Sequence, residues 1–581
     1  MKQDEELGPL IRKAALANAV KHDGKAEVGA VIGRVLAERP DLRRAVEELA
    51  SLCTQTVKEI NQLSVSDQRR AIEESWPELL RDEREAKEKR LPPLPNVEKY
   101  SQVVTRFAPN PDCVLQLGST RAIILCHEYA RMYNGKFILR LEDTDPRLKK
   151  PKLEFYDSIE NDVLWLGCKW DQEVIQSDRL EAYYGCAKKL LEIGSAYVCT
   201  CELDTFRTLT LSSRACPDRN LEPSKHLARW EKMLSGAYTE KEALVRVKTD
   251  LQHPNPAARD WPALRIIDTK RFPHPRVGSK YTVWPLYNLA CGVDDHLLGI
   301  SHIIRGKEHL TNEVRQRFMY TSLRWEYPET LHYGRLKVTD AELSKSKIVR
   351  LVQEKVVSGF DDPRLATLSA LRRRGIKPET LREVVMEIGA RPVDASLSWQ
   401  NIYAINRKMI DDQANRFFFL RDPVRVVIYG VERTYVSTPP LHPDHPERGR
   451  RKLEVKPSDG KAVILIASND AQTISEGKFI RLIELFNIQF TSANKDTIKA
   501  KFISESYEDA RKTGAPLLQW LPLENNINAG LLMTNGEKVE GFGEIALSNV
   551  AVDEMVQLVR MGFGRMDNKS PERVEVVYAH K

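Results

Sequence analysis

The strongest chemical signal in the sequence is the stretch RFAPNPDCVLQLGS at residues 106–119. A proline-kinked turn leads here into a helix, GSTRAIILCHEYARMYNG, for which Ser119 is the expected N-cap and Gly135 lies past the end. The first turn of a helix presents free N–H groups and the positive end of the helix dipole, and both favour an anion. We therefore expect an anion-binding site beside Ser119.

A second segment, ELSKSK at 342–347, is a small loop rich in serine and lysine that follows a strand-like run. Its ammonium and hydroxyl groups can donate hydrogen bonds to phosphate oxygens. Together with the helix at Ser119, this loop can hold a triphosphate from two sides. Each feature alone is a weak signal, because strand-turn-helix units are common and a loop of serine and lysine is usually solvated surface.

Two predicted strands must position these groups. YSQVVTRF (100–107) and KFILRLED (136–143) flank the helix, and the resulting βαβ unit predicts a parallel sheet. In such sheets ligands bind outside the carboxyl ends of the strands, beside the helix N-termini. Arg106 and Glu142 fall at those strand ends, so their positions alone make them candidate site residues.

The chain is too long for one core, and 581 residues favour roughly three to five domains. RDEREAKEKR loses its apolar face before the proline-rich break LPPLPN, and runs such as VRVVIYGV and KAVILIA predict β-barrels near the carboxyl end. We predict a helical amino-terminal domain (1–95), the first half of a parallel α/β domain (96–195), an insertion (196–282), its second half (283–355), a helical stem (356–415) and an all-β domain (416–581).

Composition excludes several classes of protein. The hydrophobic content of 42% and charged content of 29% are typical of globular proteins, and no apolar run is long enough to cross a bilayer. The start MKQDEELGPL lacks the pattern of a secretory signal, so we expect a cytoplasmic protein without a membrane partner. The net charge of +7 is compatible with a nucleic-acid partner but does not establish one.

In order and separation, the two segments resemble the signature motifs of class I aminoacyl-tRNA synthetases. QLGS (116–119) stands where those enzymes carry HIGH, and ELSKS (342–346) stands where they carry KMSKS. Further segments are similar to the glutamyl- and glutaminyl-tRNA synthetase group: RFAPNP, LRLEDTDPR (139–147), VWPLYNLACGVDDHLLGISHIIRGKEH (283–309) and FDDPRLATLSALRRRG (360–375). The β-rich end resembles the archaeal and eukaryotic branch, and the similarity covers nearly everything after Asn96.

The resemblance implies a Rossmann catalytic domain with an insertion that binds the acceptor end of tRNA, a helical stem and a β-barrel domain that binds the anticodon. It implies a glutamate–tRNA ligase that activates glutamate with ATP and Mg²⁺ to glutamyl-AMP and transfers glutamate to the 3′ end of tRNA(Glu). Charging of tRNA(Gln) stays an open alternative. For residues 1–95, which carry no motif, tRNA and a partner protein are the candidate partners.

The resemblance also implies the residues that bind ATP. Lys345 is the candidate catalytic residue, because it would neutralise charge as pyrophosphate leaves, and Lys347 is close enough to be its rival. The implied ATP-binding residues are Gln116, Gly118, Ser119, Ser344, Lys345, Ser346 and Lys347. The alternative for the lysine loop is an exposed basic turn.

The family pattern places the amino-acid substrate among Arg106, Asn110, Glu142 and Tyr287, with Glu142 meeting the ammonium group. Arg305 decides the choice of substrate: a guanidinium can hold a γ-carboxylate through two charge-assisted bonds, whereas a carboxamide would leave the buried charge uncompensated. Glutaminyl enzymes have a small neutral residue at this position. The alternative is a structural pairing of Arg305 with Asp294 or Asp295.

Gln116 departs from the motif, which normally has a histidine there. Its amide can donate a hydrogen bond to phosphate but can never be cationic. Ser119 replaces the last histidine of the motif, and 112–114 replace a turn that normally contains glycine. We expect binding to survive and the electrostatic contribution to fall, so these departures affect the rate rather than the identity of the reaction.

Cys199, Cys201 and Cys216 resemble a zinc-binding knuckle of this family, with His226 as the candidate fourth ligand. A structural zinc site needs four ligands in a tetrahedral array, and the spacing here is irregular. The alternative is a set of reduced, partly buried cysteines. The sequence leaves both open.

Two rival functions remain. A glutaminyl-tRNA synthetase is disfavoured by Arg305. A non-catalytic tRNA-binding paralogue is suggested by Gln116 and the altered turn, but Lys345, Arg106 and Glu142 argue against it. ATP–pyrophosphate exchange with glutamate or glutamine, in the presence of tRNA, would distinguish the three.

Overall fold

The computed structural model describes residues 7–21, 24–39, 42, 46–76, 91–339, 344–493 and 497–581. Contacts divide the chain into two compact units, residues 1–90 and 91–581. The predicted charged linker RDEREAKEKR (81–90) lies outside the described residues. No helix in the described ranges is both long enough and apolar enough to cross a membrane.

The first unit is helical, as predicted from its spacing of apolar residues. Its helices are α1 (Leu7–Lys21), α2 (Val28–Glu38), α3 (Val46–Ile60) and α4 (Val65–Ser75). Buried side chains from all four, including Ile11, Val31, Cys53 and Ile72, form one core. Helix α4 begins at a Ser64 N-cap, whose side chain accepts a hydrogen bond from the Asp67 N–H.

The second unit opens with three parallel strands and their connecting helices. The elements are β1 (Val104–Phe107), α5 (Ser119–Met132), β2 (Lys136–Leu141), α6 (Leu153–Trp165), β3 (Gln172–Ile175) and α7 (Leu180–Glu192). Strand β2 lies between β1 and β3, so the predicted βαβ unit is confirmed. Gly135 follows α5 in the chain and packs against the Val103 carbonyl. A Cβ at this position would lie 2.1 Å from the carbonyl oxygen, which explains the glycine.

An antiparallel segment interrupts this pattern. Its elements are β4 (Ala196–Cys199), α8 (Leu203–Leu211), α9 (Pro223–Leu234), β5 (Leu244–Val247), β6 (Pro262–Ile266) and β7 (Val283–Pro285). The strands pair in the order β4-β5-β6-β7. This sheet shares a core with α7 and with the helices that follow.

Parallel pairing then resumes. The next elements are α10 (Tyr287–Leu297), β8 (His302–Gly306), α11 (Leu310–Leu323) and β9 (Glu329–Tyr333), with β8 parallel to β9. Just before β8, the Ser301 N–H donates to the Val104 carbonyl at 3.0 Å, and the Val104 N–H donates to Ser301 Oγ at 2.7 Å. Strand β8 therefore lies beside β1, and the carboxyl ends of β1, β2 and β8 meet at one edge.

Helices dominate the next part of the chain. The elements are β10 (Leu336–Val338), α12 (Lys345–Gln353), α13 (Leu368–Arg373), α14 (Pro378–Ile388), β11 (Ala395–Leu397) and α15 (Trp399–Ile410). Helix α13 begins at Thr367, whose hydroxyl accepts a hydrogen bond from the Ala370 N–H at 3.1 Å. Its last residues bind the carboxyl-terminal domain: Arg373 pairs with Asp567 at 2.7 Å, and Arg374 donates to the Ala579 carbonyl at 3.3 Å.

The carboxyl-terminal part is almost entirely β-structure. Its elements are β12 (Asn415–Phe417), β13 (Phe419–Arg421), β14 (Pro423–Tyr429), β15 (Tyr435–Ser437), β16 (Leu453–Val455), β17 (Lys461–Ala467), α16 (Ser468–Gln472), β18 (Phe479–Leu482), β19 (Asn487–Ala493), β20 (Thr497–Ser504), α17 (Tyr507–Lys512), β21 (Leu517–Leu518), β22 (Leu521–Pro522), β23 (Asn526–Leu532), β24 (Lys538–Glu544), β25 (Met555–Leu558), β26 (Gly562–Lys569) and β27 (Arg573–His580). Two seven-stranded sheets, β12-β25-β26-β27-β23-β24-β13 and β21-β18-β19-β20-β14-β17-β22, each enclose a core. The prediction of a pair of barrels is confirmed, whereas the individual domain boundaries stay predictions.

One buried acid links helix α6 to the turn before α5. Burial raises the pKa of Asp162 to about 7, against the opposing effects of the Arg372 guanidinium and the Leu115 N–H. Its Oδ2 has no hydrogen-bond partner within the described ranges. The folded protein therefore binds a proton at Asp162 more tightly than the unfolded chain does.

This pKa predicts how stability depends on pH. Because the folded pKa lies above the unfolded one, stability should fall as pH rises from about 4 to 7, by on the order of 3 kcal/mol. Asp162→Asn should be nearly neutral at pH 5 and stabilising at pH 8, as measured by thermal unfolding. Asp157→Asn, at an exposed position of α6, is the control. Equal effects of Asp162→Asn at both pH values would contradict the prediction.

Candidate active site

A cavity of about 800 Å³ lies at the carboxyl ends of β1, β2 and β8, in front of the N-terminus of α5. Its position agrees with the rule for ligand sites in parallel sheets. Most of the predicted site residues line it, namely Arg106, Asn110, Gly118, Ser119, Glu142, Tyr287, Arg305 and Lys345. The structure therefore brings together groups separated by more than 200 positions of sequence.

Beneath the cavity lies a buried network of two guanidiniums and two carboxylates. Arg106 donates to both oxygens of Asp295, at 3.1 and 3.4 Å. Arg140 donates to Asp295 Oδ1 at 2.7 Å and to Glu142 Oε1 at 3.0 Å. Opposite charges thus compensate one another in a region from which water is excluded.

The network shifts the pKa values of its acids in opposite directions. Burial alone would raise the pKa of Asp295, but Arg106 and Arg140 outweigh it and hold that pKa well below its usual range. For Glu142 burial dominates and raises the pKa, against the opposing effect of both guanidiniums. Asp295 is therefore the fixed anion of the site.

Arg305 is held differently from Arg106 and Arg140. Its Nη1 donates to Gln316 Oε1 at 3.1 Å, and its Nη2 donates to the Tyr327 hydroxyl at 3.0 Å. Among the described residues no carboxylate forms an ion pair with it, and its Nε has no hydrogen-bond partner. Arg305 is only 5% exposed and lines the cavity, so its guanidinium is a buried cation held by neutral groups.

The alternative pairing of Arg305 with Asp294 or Asp295 is wrong. Asp295 binds the guanidiniums of the buried network. Asp294 accepts hydrogen bonds from Gln176 at 3.0 Å, Arg179 at 2.7 Å and the Tyr183 hydroxyl at 2.7 Å. Both acids are thus fully engaged with other partners.

Neutral polar groups complete this end of the cavity. Asn110 Oδ1 and Asn288 Oδ1 are buried without a hydrogen-bond partner in the part of the chain that the structure describes. The Tyr287 and His309 rings lie 5.4 Å apart, and burial together with Arg305 lowers the pKa of His309 to about 4. His309 is therefore neutral near pH 7, and Arg305 is the positively charged member of this pair.

The N-terminus of α5 forms the other end of the cavity. Gly118 is the N-cap and Ser119 is the first helical residue, so the expected N-cap was one position too late. The Ser119 N–H donates to the Gln116 carbonyl at 2.8 Å. Gly118 and Ser119 both line the cavity, at the helix end that favours an anion.

Gln116 does not line the cavity. It is 6% exposed and forms an isolated bridge with Thr367, while the Leu117 N–H donates to the Ala366 carbonyl at 2.9 Å. Its Nε2 is buried without a partner among the described residues. The Gln116 amide is therefore not positioned to donate the expected hydrogen bond to phosphate.

The lysine loop reaches the cavity through Lys345, the first residue of α12. Lys345 Nζ lies 2.9 Å from Asp112 Oδ1, in the turn before α5. Ser344 Oγ and Ser346 Oγ are 3.2 Å apart, and Lys347 is exposed. Glu342 and Leu343 of the predicted motif lie outside the described residues.

Three thiols and a carboxylate cluster at the edge of the antiparallel sheet. Cys201 and Cys216 Sγ are 3.0 Å apart, and Cys199 and Cys216 Sγ are 3.6 Å apart. Asp218 is the fourth member, with all four candidate ligand atoms within 4.8 Å of one another. His226 is not a member of this group: its Nδ1 accepts a hydrogen bond from the Val198 N–H at 3.2 Å, and Asp218 takes the position expected of the fourth ligand.

Sequence reasoning missed Arg140, Gln316 and Tyr327, and it offered Asp295 as a partner of Arg305 although Asp295 binds Arg106 and Arg140. A signal existed for Arg140, which interrupts the apolar strand KFILRL, because a charge on a buried strand requires a partner. Gln316 and Tyr327 carried no comparable signal. Gln316 contacts Arg305 from α11, and Tyr327 contacts it from the segment between α11 and β9, the strand that pairs with β8.

Comparison with known families matches most of the second unit. A family described as tRNA synthetases class I (E and Q), catalytic domain, matches residues 102–412. The family described as the anti-codon binding domain of the same enzymes matches residues 414–506.

Relatives match nearly the whole chain. The glutamate–tRNA ligase of Pyrococcus furiosus is 49% identical over 583 residues, covering 99% of this chain and 100% of that protein. That of Thermococcus onnurineus is 48% identical over 577 residues, covering 98% and 99%. A solved glutamate tRNA ligase from Elizabethkingia meningosepticum is 18% identical, with a TM-score of 0.38 over 54% of this chain and 71% of that one.

The buried network yields a stability prediction. Asp295→Ala would leave two buried guanidiniums without their shared anion, which costs about 3–5 kcal/mol of stability. Asp178→Ala removes an exposed partner of Arg276, bound at 2.8 Å, and should cost about 0.2–1 kcal/mol. Chemical denaturation of both variants measures the difference. Similar losses in the two variants would contradict the role of Asp295 as the anion of the network.

Proposed function

The chain belongs to the glutamate–tRNA ligases, class I aminoacyl-tRNA synthetases of the E and Q group, and we propose that Arg305 is the residue by which it selects glutamate. The family resemblance inferred from the sequence is thereby confirmed, as is the predicted ligase activity. ATP, glutamate and tRNA are the substrates of this family, and neither rival function is favoured.

The observation that carries the proposal is the guanidinium of Arg305 in the cavity, which forms no ion pair with any residue that the structure describes. A buried cation is costly unless an anion compensates it, and its present partners are the neutral Gln316 and Tyr327. A γ-carboxylate of glutamate would supply that anion. A glutamine carboxamide has a dipole but no charge, so it would leave most of the free-energy cost of the buried cation uncompensated.

At the backbone end of the substrate we propose Glu142, Asn110 and Tyr287. Glu142 binds Arg140 through Oε1, which leaves Oε2 to meet an ammonium group. The unpartnered Oδ1 of Asn110 is a further acceptor in the same cavity. Arg106 is bound to Asp295 through Nε and Nη2, so it would approach the substrate with Nη1.

In the first step, a carboxylate oxygen of the substrate attacks the α-phosphorus of ATP, and the bond to pyrophosphate breaks. In the second, a ribose hydroxyl of the tRNA terminal adenosine takes the acyl group and AMP leaves. Both steps depend on positioning and on compensating charge. We propose that Lys345 neutralises the departing pyrophosphate, while Gly118, Ser119, Ser344, Ser346 and Lys347 bind the nucleotide. Gln116 is left out because its amide is buried away from the cavity.

Mg²⁺ would enter with ATP. This ion keeps several waters and binds phosphate oxygens readily, so it needs no complete protein cage. Among the described residues, three or more potential metal ligands come together in the thiol cluster. None of its members lines the cavity. Phosphate oxygens therefore suit the role of principal Mg²⁺ ligands.

We propose that the thiol cluster holds Zn²⁺ through Cys199, Cys201 and Cys216. Zinc is bound by cysteine sulfurs, and the Cys216 Sγ lies 3.6 Å from that of Cys199 and 3.0 Å from that of Cys201. Asp218 is the remaining candidate ligand. Its Oδ2 accepts hydrogen bonds from Thr200, and its Oδ1 accepts one from Arg229 at 2.7 Å, which leaves that oxygen a lone pair.

The partners beyond glutamate and tRNA are also proposals. The anticodon-binding match supports tRNA(Glu) as the cognate tRNA, and charging of tRNA(Gln) is to be checked by aminoacylation of both tRNAs. We propose a cytoplasmic location, where tRNA and ATP are available. Residues 1–95 remain candidates to bind tRNA or a partner protein.

Substitution of Arg305 tests the assignment of specificity. Arg305→Cys should lower kcat/KM for glutamate by roughly 30- to 3,000-fold, because truncating one partner of a buried charge pair costs about 2–5 kcal/mol. The measurement is glutamate-dependent ATP–pyrophosphate exchange with tRNA present. Arg324→Cys, at an exposed position outside the cavity lining, is the matched control and should change little. An unchanged preference for glutamate in Arg305→Cys would overturn the assignment.

The zinc proposal has its own test. Metal analysis of the purified chain should find about one zinc per chain, and Cys216→Ser should lose it together with part of the thermal stability. Cys186→Ser, another buried cysteine outside the cluster, is the control and should retain zinc. Equal zinc content in Cys216→Ser and the parent would contradict the site.

A further inference from the structure

We propose that the Asp112 carboxylate forms an ion pair with the Lys345 ammonium when ATP is absent, and that this ion pair lowers the affinity of the enzyme for ATP. The inference rests on the proposed role of Lys345 at the phosphates. It assigns Asp112 as a positioning residue, since Asp112 acts through Lys345 and does not itself line the cavity.

The contact on which the inference depends joins two segments that are far apart in sequence. Lys345 Nζ lies 2.9 Å from Asp112 Oδ1, and both side chains are partly exposed, at 44% and 22%. Asp112 belongs to the turn between β1 and α5, whereas Lys345 begins α12 after the lysine loop. The ion pair therefore holds the start of α12 against the turn that precedes the phosphate end of the cavity.

The turn that carries Asp112 is itself held in place. The Lys152 N–H donates to the Pro111 carbonyl at 3.0 Å, and Cys113 and Val114 next to Asp112 are buried against Phe155. The Asp112 carboxylate is thus presented from a fixed backbone. The Lys345 ammonium, at the end of a flexible four-carbon stem, is the partner that can move.

Binding of ATP changes the electrostatic interactions of Lys345 and Asp112. The phosphates need the ammonium as a donor, but they also bring negative charge close to the Asp112 carboxylate. Two like charges a few ångströms apart near a protein surface repel each other substantially. Part of the attraction between ATP and Lys345 is therefore used to displace Asp112.

A merely structural role for the pair predicts a different result. A partly exposed ion pair contributes little to folding, so its loss would leave stability and ATP binding almost unchanged. A role in attracting ATP predicts weaker binding on its removal. The proposal predicts tighter binding.

The test is Asp112→Asn, which keeps the shape of the side chain and removes its charge. The dissociation constant for ATP, measured by calorimetry on the full chain without glutamate, should fall by about 3- to 10-fold. The KM for ATP in exchange should fall with it, while the KM for glutamate stays constant. Unchanged or weaker binding of ATP to Asp112→Asn would overturn the proposal.

Two further variants separate the ion pair from a general effect of charge. Glu154→Gln makes the same change of charge at an exposed partner of Lys152, 3.4 Å away and outside the cavity lining, and should leave ATP binding unchanged. In a Lys345→Met background, Asp112→Asn should alter the ATP dissociation constant by less than about 2-fold. An undiminished effect in that background would overturn the proposal.

Failure of this inference differs from failure of the proposed function. If the parent enzyme shows no glutamate-dependent exchange, the proposed roles at the active site fail. If the exchange is present and Asp112→Asn does not tighten ATP binding, the inference about Asp112 alone fails.

Discussion

A buried charge must be compensated, and this constraint explains how the active site is built. Arg106 and Arg140 satisfy it within the protein, because Asp295 and Glu142 are bound to them. Arg305 lies in the same cavity with neutral partners alone among the described residues. The difference between these arginines separates the fixed framework of the site from the group that we propose binds the anionic end of the substrate.

The sheet serves this arrangement by bringing strand ends together. Arg106 lies near the end of β1, Glu142 follows β2 and Arg305 lies near the end of β8, so parallel pairing places all three at one edge. Helix α10 contributes Asp295, which binds Arg106, and α11 contributes Gln316, which binds Arg305. Strand ends thus form the base of the cavity, whereas Lys345 lines it from a separate helix.

Local patterns were enough to predict much of this. The βαβ unit, the turn into α5 and the placement of Arg106 and Glu142 at strand ends followed from alternation, glycine and proline signals and known rules for parallel sheets. The partner of Arg106 did not follow, because Asp295 is 189 positions away and reaches it only through packing of α10. The burial of Gln116 depends on its bridge to Thr367, and the choice of Asp218 over His226 depends on which residue the chain folds toward the thiols.

The central claim is that the fixed cation at Arg305 makes this enzyme select glutamate. The most direct measurement is the ratio of kcat/KM for glutamate to that for glutamine, in ATP–pyrophosphate exchange by the unsubstituted enzyme with tRNA(Glu) present. The account predicts a ratio of roughly 100 or more, since leaving the buried charge uncompensated costs several kcal/mol. A ratio near one, or a preference for glutamine, would contradict it.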